Sequence, residues 1–575
     1  MPYLGTTERK LAVLARIPLA AHAPPGGWGV GSGPRQGIRS HEENEMTYRK
    51  RMAAVGAAVG LLVGTAACSM NTQTGGSSGV LRVDNGADPT HLAPQQNTGS
   101  QVAMALCEPL TGLNPSTGAV EMRAATSVDS PDAQHYTIKI REGRKFHNGE
   151  DVTAHSFADA WNATAYGPNG WLGNTTFSPV AGYDEMNTTG TPAVKELSGV
   201  KVVDDHTLQV TLKTPNADFP MVLSTLGTCP MPKSGLADPK AYDNAPVGNG
   251  PYKFVKWDHN QQVVVERWED YPGQKPDAKQ IVFKVYQSPD TAYRDVQAGQ
   301  LDVLRNLPTN LIKDARQSLG DKRTTEVEQQ TLIVQMLVPQ YVEELRDPRL
   351  RQALSMVIDR EGLANALLQG GAAPAYSMLS NVANGYRDKS CAACVRDVAK
   401  AKELAAQAGG FRKPVVLWYS VGASTQYLEQ VAQAVANSVR QDLGVEVQLK
   451  PVRGPELQSA YQSNALTGPV INLWGLAYPS ADQFLSMFRQ GGDGNEYTRY
   501  DNPAANELMR QALSAQDKAT AARLWGQAED ALLADMPSVP LFFPKAFVAH
   551  SECVKVGNVY GDVQYYRSAL TCQGK

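Results

Sequence analysis

Two cysteines three apart, Cys391 and Cys394 in the run C-A-A-C, form the one spacing in this chain that could carry redox chemistry. A reactive cysteine of that kind sits at a helix N-terminus after a strand, where its thiolate is stabilised. Here the pair follows a polar loop at 385–390 and precedes an Ala-rich helical pattern near 399, so a disulfide closing the loop is the preferred reading. A redox or chaperone-like envelope protein using Cys391 and Cys394 is kept as the rival. Two cysteines are too few for a structural zinc site, and the nine histidines are scattered without metal-ligand spacing. No HExxH, GxSxG, P-loop or dinucleotide fingerprint falls between a strand and a helix. The chain is therefore expected to be no enzyme and to need neither metal nor cofactor.

The elements that must hold such residues alternate. Residues 80–83 (VLRV), 135–140 (HYTIKI), 200–203 with 207–212, 261–267 and 281–285 carry strand patterns, and 289–298 followed by 301–304 continues the last as strand–helix–strand. Helices are expected near 99–106, at 154–163, at 348–358 with a proline in its first turn, at 399–408, 425–443 and 456–462. Apolar strands at 331–338, 415–419, 445–452 and 470–473 lie between or after these. This order describes α/β lobes with sheets covered on both faces.

The N-terminal region carries an export pattern. From Met46, the basic Arg49-Lys50-Arg51 precedes a short apolar stretch at 52–64 and then Thr65-Ala66-Ala67-Cys68. The stretch is too short to span a bilayer, and no later run reaches that length. It resembles a bacterial lipoprotein signal, which implies diacylglycerol on Cys68 and a flexible Gly/Ser-rich tether up to residue 79. Residues 1–45 lack a coherent pattern, and Met46 is expected to be the true start. The first 67 residues hold 8 Lys+Arg and 4 Asp+Glu, leaving 46 and 53 in the rest and a formal net charge of −7. A mildly acidic chain without a basic block is not built for nucleic acid. Beyond Cys68 six cysteines remain, an even number that permits disulfides in an exported protein. Proximity suggests Cys553–Cys572 and Cys391–Cys394, and Cys107–Cys229 would then join two segments flanking a second lobe.

Five segments in order carry a resemblance to a known family. They are Tyr136 through Gly149 with Val152-Thr153-Ala154 after it, 199–212 (GVKVVDDHTLQVTL), Gly248-Asn249-Gly250-Pro251-Tyr252, 347–360 (DPRLRQALSMVIDR) and 474–485 (WGLAYPSADQFL). Together they resemble the extracellular solute-binding proteins of ABC importers in the peptide/nickel class, the oligopeptide- and dipeptide-binding proteins. Read as residues, Gly143 and Gly149 supply turn geometry. Gly248, Gly250 and Pro251 set a stiff corner. Arg349, Arg351, Asp359 and Arg360 face solvent or cap their helix, while Leu350, Leu354 and Ile358 fall at core spacing.

The resemblance implies an α/β, periplasmic-binding-protein-like fold, with two mixed lobes joined by a hinge and an extra inserted domain in a three-lobed, pear-like arrangement. It implies this division: 1–45 spurious extension, 46–67 signal, 68–79 tether, 80–107 lobe I, 108–225 inserted lobe II, 226–327 lobe I again, 328–535 lobe III and 536–575 the C-terminal part of lobe I. It further implies a monomeric protein, attached to the outer face of the cytoplasmic membrane through its lipid only, that closes on an oligopeptide or similar solute and delivers it to ABC permease subunits.

Candidate ligand contacts follow. Trp474, Gly475, Ala477 and Tyr478 lie in the loop after an apolar strand, where relatives place ligand-binding groups and an aromatic wall can accept varied side chains. Tyr419 and Ser420 end a strand at a sheet edge, and Trp171 and Phe177 sit in a Gly/Asn-rich loop of lobe II. The other reading of these aromatics is core packing. Relatives that bind peptides carry an Asp just before the Tyr, holding the ligand's ammonium group, and here that position is Ala477. Asp482 is nearby but leads into the next helix. Either another acid anchors the ammonium or the solute lacks a free amino terminus, and haem, a siderophore or a glycan in the same fold is the alternative.

Overall fold

Residue 81 onward alternates as a strand should, and in the computed structural model this stretch, Val80–Gly86, runs through the middle of a seven-stranded sheet. The structure describes residues 79–572 apart from 98, 189, 328, 368, 423–425, 493 and 560–561. The expected extension, signal, Cys68 and the tether up to residue 78 lie outside the described residues. In sheet order the seven strands are Thr324–Val327, Ala546–His550, Val303–Leu304, Val80–Gly86, Gln280–Val285, Gln262–Arg267 and Tyr252–Asp258. Leu81 and Val83 pair in parallel register with Ile281 and Phe283, and all four are fully buried. This sheet and its cover form lobe I.

Lobe II is built on an antiparallel sheet, Ala125–Asp129, His135–Ile140, Thr207–Thr211 and Val200–Asp204. Its strands alternate. Tyr136, Ile138, Leu208 and Val210 turn inward to meet Phe157 and Trp161 of the helix Ala154–Ala165, while Lys139, Lys201 and Gln209 stay exposed. Lobe III carries a six-stranded sheet in the order Ala372–Pro374, Ser538–Pro544, Leu332–Leu337, Val470–Gly475, Val415–Ser420 and Val447–Val452. Its Leu332–Leu337 strand is buried at five of its six residues, as expected for a strand covered on both faces. The helix Gln426–Leu443 packs against the strands on either side of it in sequence, and the helices Pro503–Ser514 and Lys518–Asp535 pack on each other.

Two crossings connect lobes I and III. The chain leaves lobe I after Thr324–Val327 and enters the lobe III sheet at Leu332. It returns from Ser538–Pro544 directly into Ala546–His550. The crossings run side by side, because Val327 pairs with Ala546 on one side and Val334 with Phe542 on the other. Two adjacent extended segments of this kind form a hinge. The expected boundary at 536 is thereby corrected. Ser538–Pro544 belongs to lobe III, since this run of Ser, Val, Pro, Leu and Phe is almost wholly buried against the central strand.

A second correction concerns the arginines of the 347–360 segment. Arg351 and Arg360 are 3% and 2% exposed rather than solvent-facing. Arg360 donates to the carbonyls of Pro540, Ser355 and Cys394 and to the Ser355 hydroxyl, over 2.6–3.1 Å. Arg351 donates to the carbonyls of Leu345, Arg346 and Asp535. Neither side chain has a carboxylate partner in these bonds. Their donors instead satisfy backbone acceptors that would otherwise be buried unpaired, and burial lowers the Arg360 pKa to about 9. Both arginines pin the segment that returns through the hinge. Asp347 and Asp359 do cap, accepting from the Arg349 and Gly362 amides, and Arg349 pairs with Asp347 at the surface.

The neck between lobes I and II is crossed at Cys107 and Cys229, which are joined by a disulfide. Disulfides also join Cys391–Cys394 and Cys553–Cys572. The corner Gly248-Asn249-Gly250 docks on the same neck. Asn249 accepts from the Glu108 amide at 2.9 Å and donates to its carbonyl at 2.8 Å. Gly248 and Gly250 are required by closeness rather than by an unusual φ: a Cβ on Gly248 would lie 1.9 Å from the Leu106 carbonyl oxygen. Gly143 and Gly149, by contrast, have φ of 71° and 89°, the turn geometry expected of them.

Candidate solute cleft

A cavity of about 1110 Å³ lies where the three lobes meet. Lobe III contributes the loop Gly475 through Pro479, which leaves its sheet beside the hinge residues Thr331 and Leu332. Leu476 is tied to the hinge by its amide, which donates to the Thr331 carbonyl at 3.1 Å. Gln483 shapes the loop further. Its side-chain oxygen accepts from the Ala477 amide at 3.0 Å and its carbonyl from the Trp474 indole at 2.5 Å.

Lobe II contributes three arginines. Arg123 follows the short hairpin Thr111–Leu113 and Val120–Met122, and its chain packs over Gly112, where a Cβ would meet its Nε at 2.8 Å. Arg141 and Arg144 lie in the tight turn after His135–Ile140. That turn is closed by Phe146 donating to Glu150 and Val152 donating to Arg144, at 2.8 and 2.9 Å. Arg141 Nε donates to the Arg123 carbonyl at 2.8 Å, which ties the Arg141 side chain to the Arg123 backbone.

The cavity is closed by Glu108, where lobe II begins, and by Tyr271 and the 564–569 segment of lobe I. Glu108 is buried and accepts from the Tyr271 hydroxyl at 2.8 Å, with Arg144 Nη2 at 3.6 Å. Burial raises the Glu108 pKa above the usual carboxylate range, against the pull of Arg144, Arg123 and Arg141. Burial beside the same carboxylate pushes the Tyr271 hydroxyl well above its ordinary value. Among the described residues no group of three or more His, Cys, Asp or Glu side chains is placed to hold a metal ion.

Of the residues singled out by sequence, Gly475, Ala477 and Tyr478 line the cavity. Tyr478 also packs on the lobe II core, bridging the cleft. The others are placed elsewhere. Trp474 is half-buried against Tyr497, edge to face, with its indole bonded to Gln483. Tyr419 is buried in the lobe III core and Ser420 is half-buried at the end of the same strand. Phe177 turns into the lobe II core beside Trp161, although its neighbours Thr175, Thr176 and Ser178 face the cavity. Trp171 packs on Ala93, Ala160, Met231 and Tyr242. For these aromatics the packing alternative describes their surroundings. Asp482 is buried and pairs with Arg489 at 3.1 Å. Cys391 and Cys394 are each 1% exposed, and reactive cysteines need access. Arg123, Arg144 and Glu108 were missed. The one signal available was a pair of arginines three apart in a tight turn, which turn chemistry alone reads as solvated.

The chain matches the model of the bacterial extracellular solute-binding proteins, family 5, over residues 119–496. It is 27% identical over 530 residues to the periplasmic oligopeptide-binding protein OppA of Salmonella typhimurium, covering 86% of this chain and 93% of that protein. It is 25% identical over 535 residues to the dipeptide-binding protein DppE of Bacillus subtilis, covering 88% and 96%. Among solved structures, the Escherichia coli murein tripeptide binding protein MppA superposes with a TM-score of 0.70 at 22% identity, over 85% of this chain and 98% of that one. The three-lobed frame, the hinge and the match across most of the chain agree: this protein belongs to the bacterial extracellular solute-binding proteins of family 5.

Proposed function

We propose that this protein captures a peptide in the cavity between its lobes and delivers it to an ABC importer at the membrane. The observation that carries this is the cavity itself. It draws walls from all three lobes, sits beside a two-strand hinge, and at about 1110 Å³ is at the upper end of enclosed ligand sites. Relatives of similar length named for oligopeptide and dipeptide binding support the solute class. Within the described residues no helix is long and apolar enough to cross a membrane, and the lipid on Cys68 is the attachment proposed here. The protein acts as a monomer in this scheme. The division into lobes at 80–107, 108–225 and 226–327, with lobe III extended to residue 544, is the frame on which closure turns.

The test is small-angle scattering combined with thermal melting of the mature chain, with and without a pool of short peptides. Compaction together with a higher Tm is expected, since a ligand that binds only the closed form shifts both. Neither change with any peptide pool would contradict the proposal. A non-peptide solute is the second reading. It is favoured by one observation, that Ala477 faces the cavity where a carboxylate for an ammonium group was expected and Asp482 is engaged by Arg489.

A further inference from the structure

We infer that the C-terminal hairpin, residues 553–572, forms a wall of the solute cleft, and that Asp84 is the positioning residue that holds this wall in place. This rests on the cavity being the solute cleft. Tyr566, Arg567 and Arg305 all line the cavity, yet they come from two segments far apart in the chain. The first two belong to the hairpin, which is built from two short ladders, Val554–Lys555 with Ala569–Leu570 and Asn558–Val559 with Asp562–Val563. The disulfide Cys553–Cys572 closes its base. Ladders this short are marginal by themselves, so the hairpin needs an anchor on the body of lobe I.

Tyr565 is that anchor. It is 1% exposed, with its ring in the lobe I core beside Phe283, the centroids 6.1 Å apart. Its hydroxyl donates to Asp84 Oδ1 at 2.6 Å, and the same oxygen accepts from the Arg305 amide at 2.8 Å. One carboxylate oxygen thus fixes both cavity-lining segments. The sheet explains why it stands there. Val83 pairs in parallel with Val303, so Asp84 and Arg305 both lie towards the carboxyl ends of neighbouring parallel strands. Open α/β sheets bind their ligands at that edge. The side chains of the hairpin then divide by direction: Tyr565 turns into the core, while Gln564, Tyr566 and Arg567 are half-buried at the cavity. Those three are linked, the Tyr566 hydroxyl donating to Gln564 at 2.7 Å and Arg567 Nε to the Tyr566 oxygen at 3.1 Å. They are set as one unit, and a preformed wall binds more tightly than one that must be ordered on binding. Release of Tyr565 is therefore felt as lost affinity.

The test combines hydrogen exchange with calorimetric titration of the full mature chain, using a randomised tetrapeptide mixture as the probe. In the parent, the mixture should slow exchange of the 564–569 amides by about threefold or more. Tyr565→Phe keeps the ring and removes the hydroxyl. It should speed exchange of those amides in the peptide-free chain and lower peptide affinity by about tenfold. Asp84→Ala should lower it at least as far, whereas Asp84→Asn, whose side-chain carbonyl still accepts both bonds, should stay within about threefold of the parent. In a chain already carrying Tyr566→Ala and Arg567→Ala, Tyr565→Phe should cost less than about twofold, because the side chains it positions are gone. An undiminished loss there would make Tyr565 a structural residue only and overturn the inference. So would peptide binding to the parent that leaves the 564–569 amides unprotected, with the proposed capture of peptides intact. If Asp84→Ala melts early, Tyr565→Phe and the protection measured on the parent still decide. Binding of no peptide by the parent would remove the proposed function, and this inference with it.

Discussion

The Ser480 hydroxyl donates to the Asp218 carboxylate, tying the loop that leaves the cavity in lobe III to the far edge of lobe II. Beside it the Ala217 amide donates to the Leu513 carbonyl at 2.6 Å, and Gln516 reaches the Pro131 carbonyl at 3.1 Å. These contacts join lobe III directly to lobe II, and so would act as a latch between them.

Ser480→Ala should therefore loosen the contact between lobes II and III, and because the same hydroxyl caps the helix Ala481–Leu485 by accepting from the Asp482 amide at 3.1 Å, the Tm should fall slightly as well. Losing one hydrogen bond to a charged group costs about 1.5–3 kcal/mol, on the order of tenfold or more in the ratio of closed to open molecules. Scattering of the ligand-free variant should show a larger radius of gyration than the parent, and its peptide affinity should fall by a similar factor. An unchanged radius and affinity would mean that the latch is incidental.

Replacing Gly248 by alanine should damage the neck between lobes I and II. The new Cβ would meet the Leu106 carbonyl at 1.9 Å, a backbone atom that cannot swing aside. Overpacking of this kind costs about 1–3 kcal/mol. The Tm should drop by several degrees, whereas Gly143→Ala, with open space around it but φ of 71°, should lose less.

His147 makes the same neck sensitive to acid. Its Nδ1 accepts from the Gly248 amide at 3.2 Å and its Nε2 faces the Gly250 carbonyl at 3.0 Å, so the neutral ring with hydrogen on Nε2 satisfies both. Burial lowers its pKa from 6.5 to about 4. In the unfolded chain the ring takes up a proton below about 6.5, and in the fold only near 4. The unfolded state thus binds more protons in between, and stability falls as pH drops from 6.5 to 4. The loss amounts to roughly 2–3 kcal/mol. Melting curves across that window should show it, and His147→Gln should flatten this part of the profile. An identical slope in the variant would assign the acid sensitivity to other groups.

Much of the frame could be read from periodicity. The strand His135–Ile140 falls where its alternation placed it, and the helix Gln426–Leu443 begins one residue from its expected start. The hinge was harder, because Ser538–Pro544 contains two prolines and no alternation, and only its pairing with Leu332–Leu337 makes it a lobe III strand. Buried arginines defeat pattern reading for a similar reason. Arg351 and Arg360 look like surface charge until the carbonyls they satisfy come from segments some 180 residues away. The cavity shows both sides. Gly475, Ala477 and Tyr478 were recognisable because an aromatic loop follows an apolar strand. Arg123 and Arg144 meet only after a hairpin and a turn fold together, and no local spacing records that meeting.

The most direct measurement of peptide capture in the cleft is native mass spectrometry of the mature chain incubated with a mixed peptide pool. One peptide per chain, retained through dilution, is the expected result. A spectrum with no peptide adduct at any pool concentration, or with several bound at once and no preference among them, would contradict it.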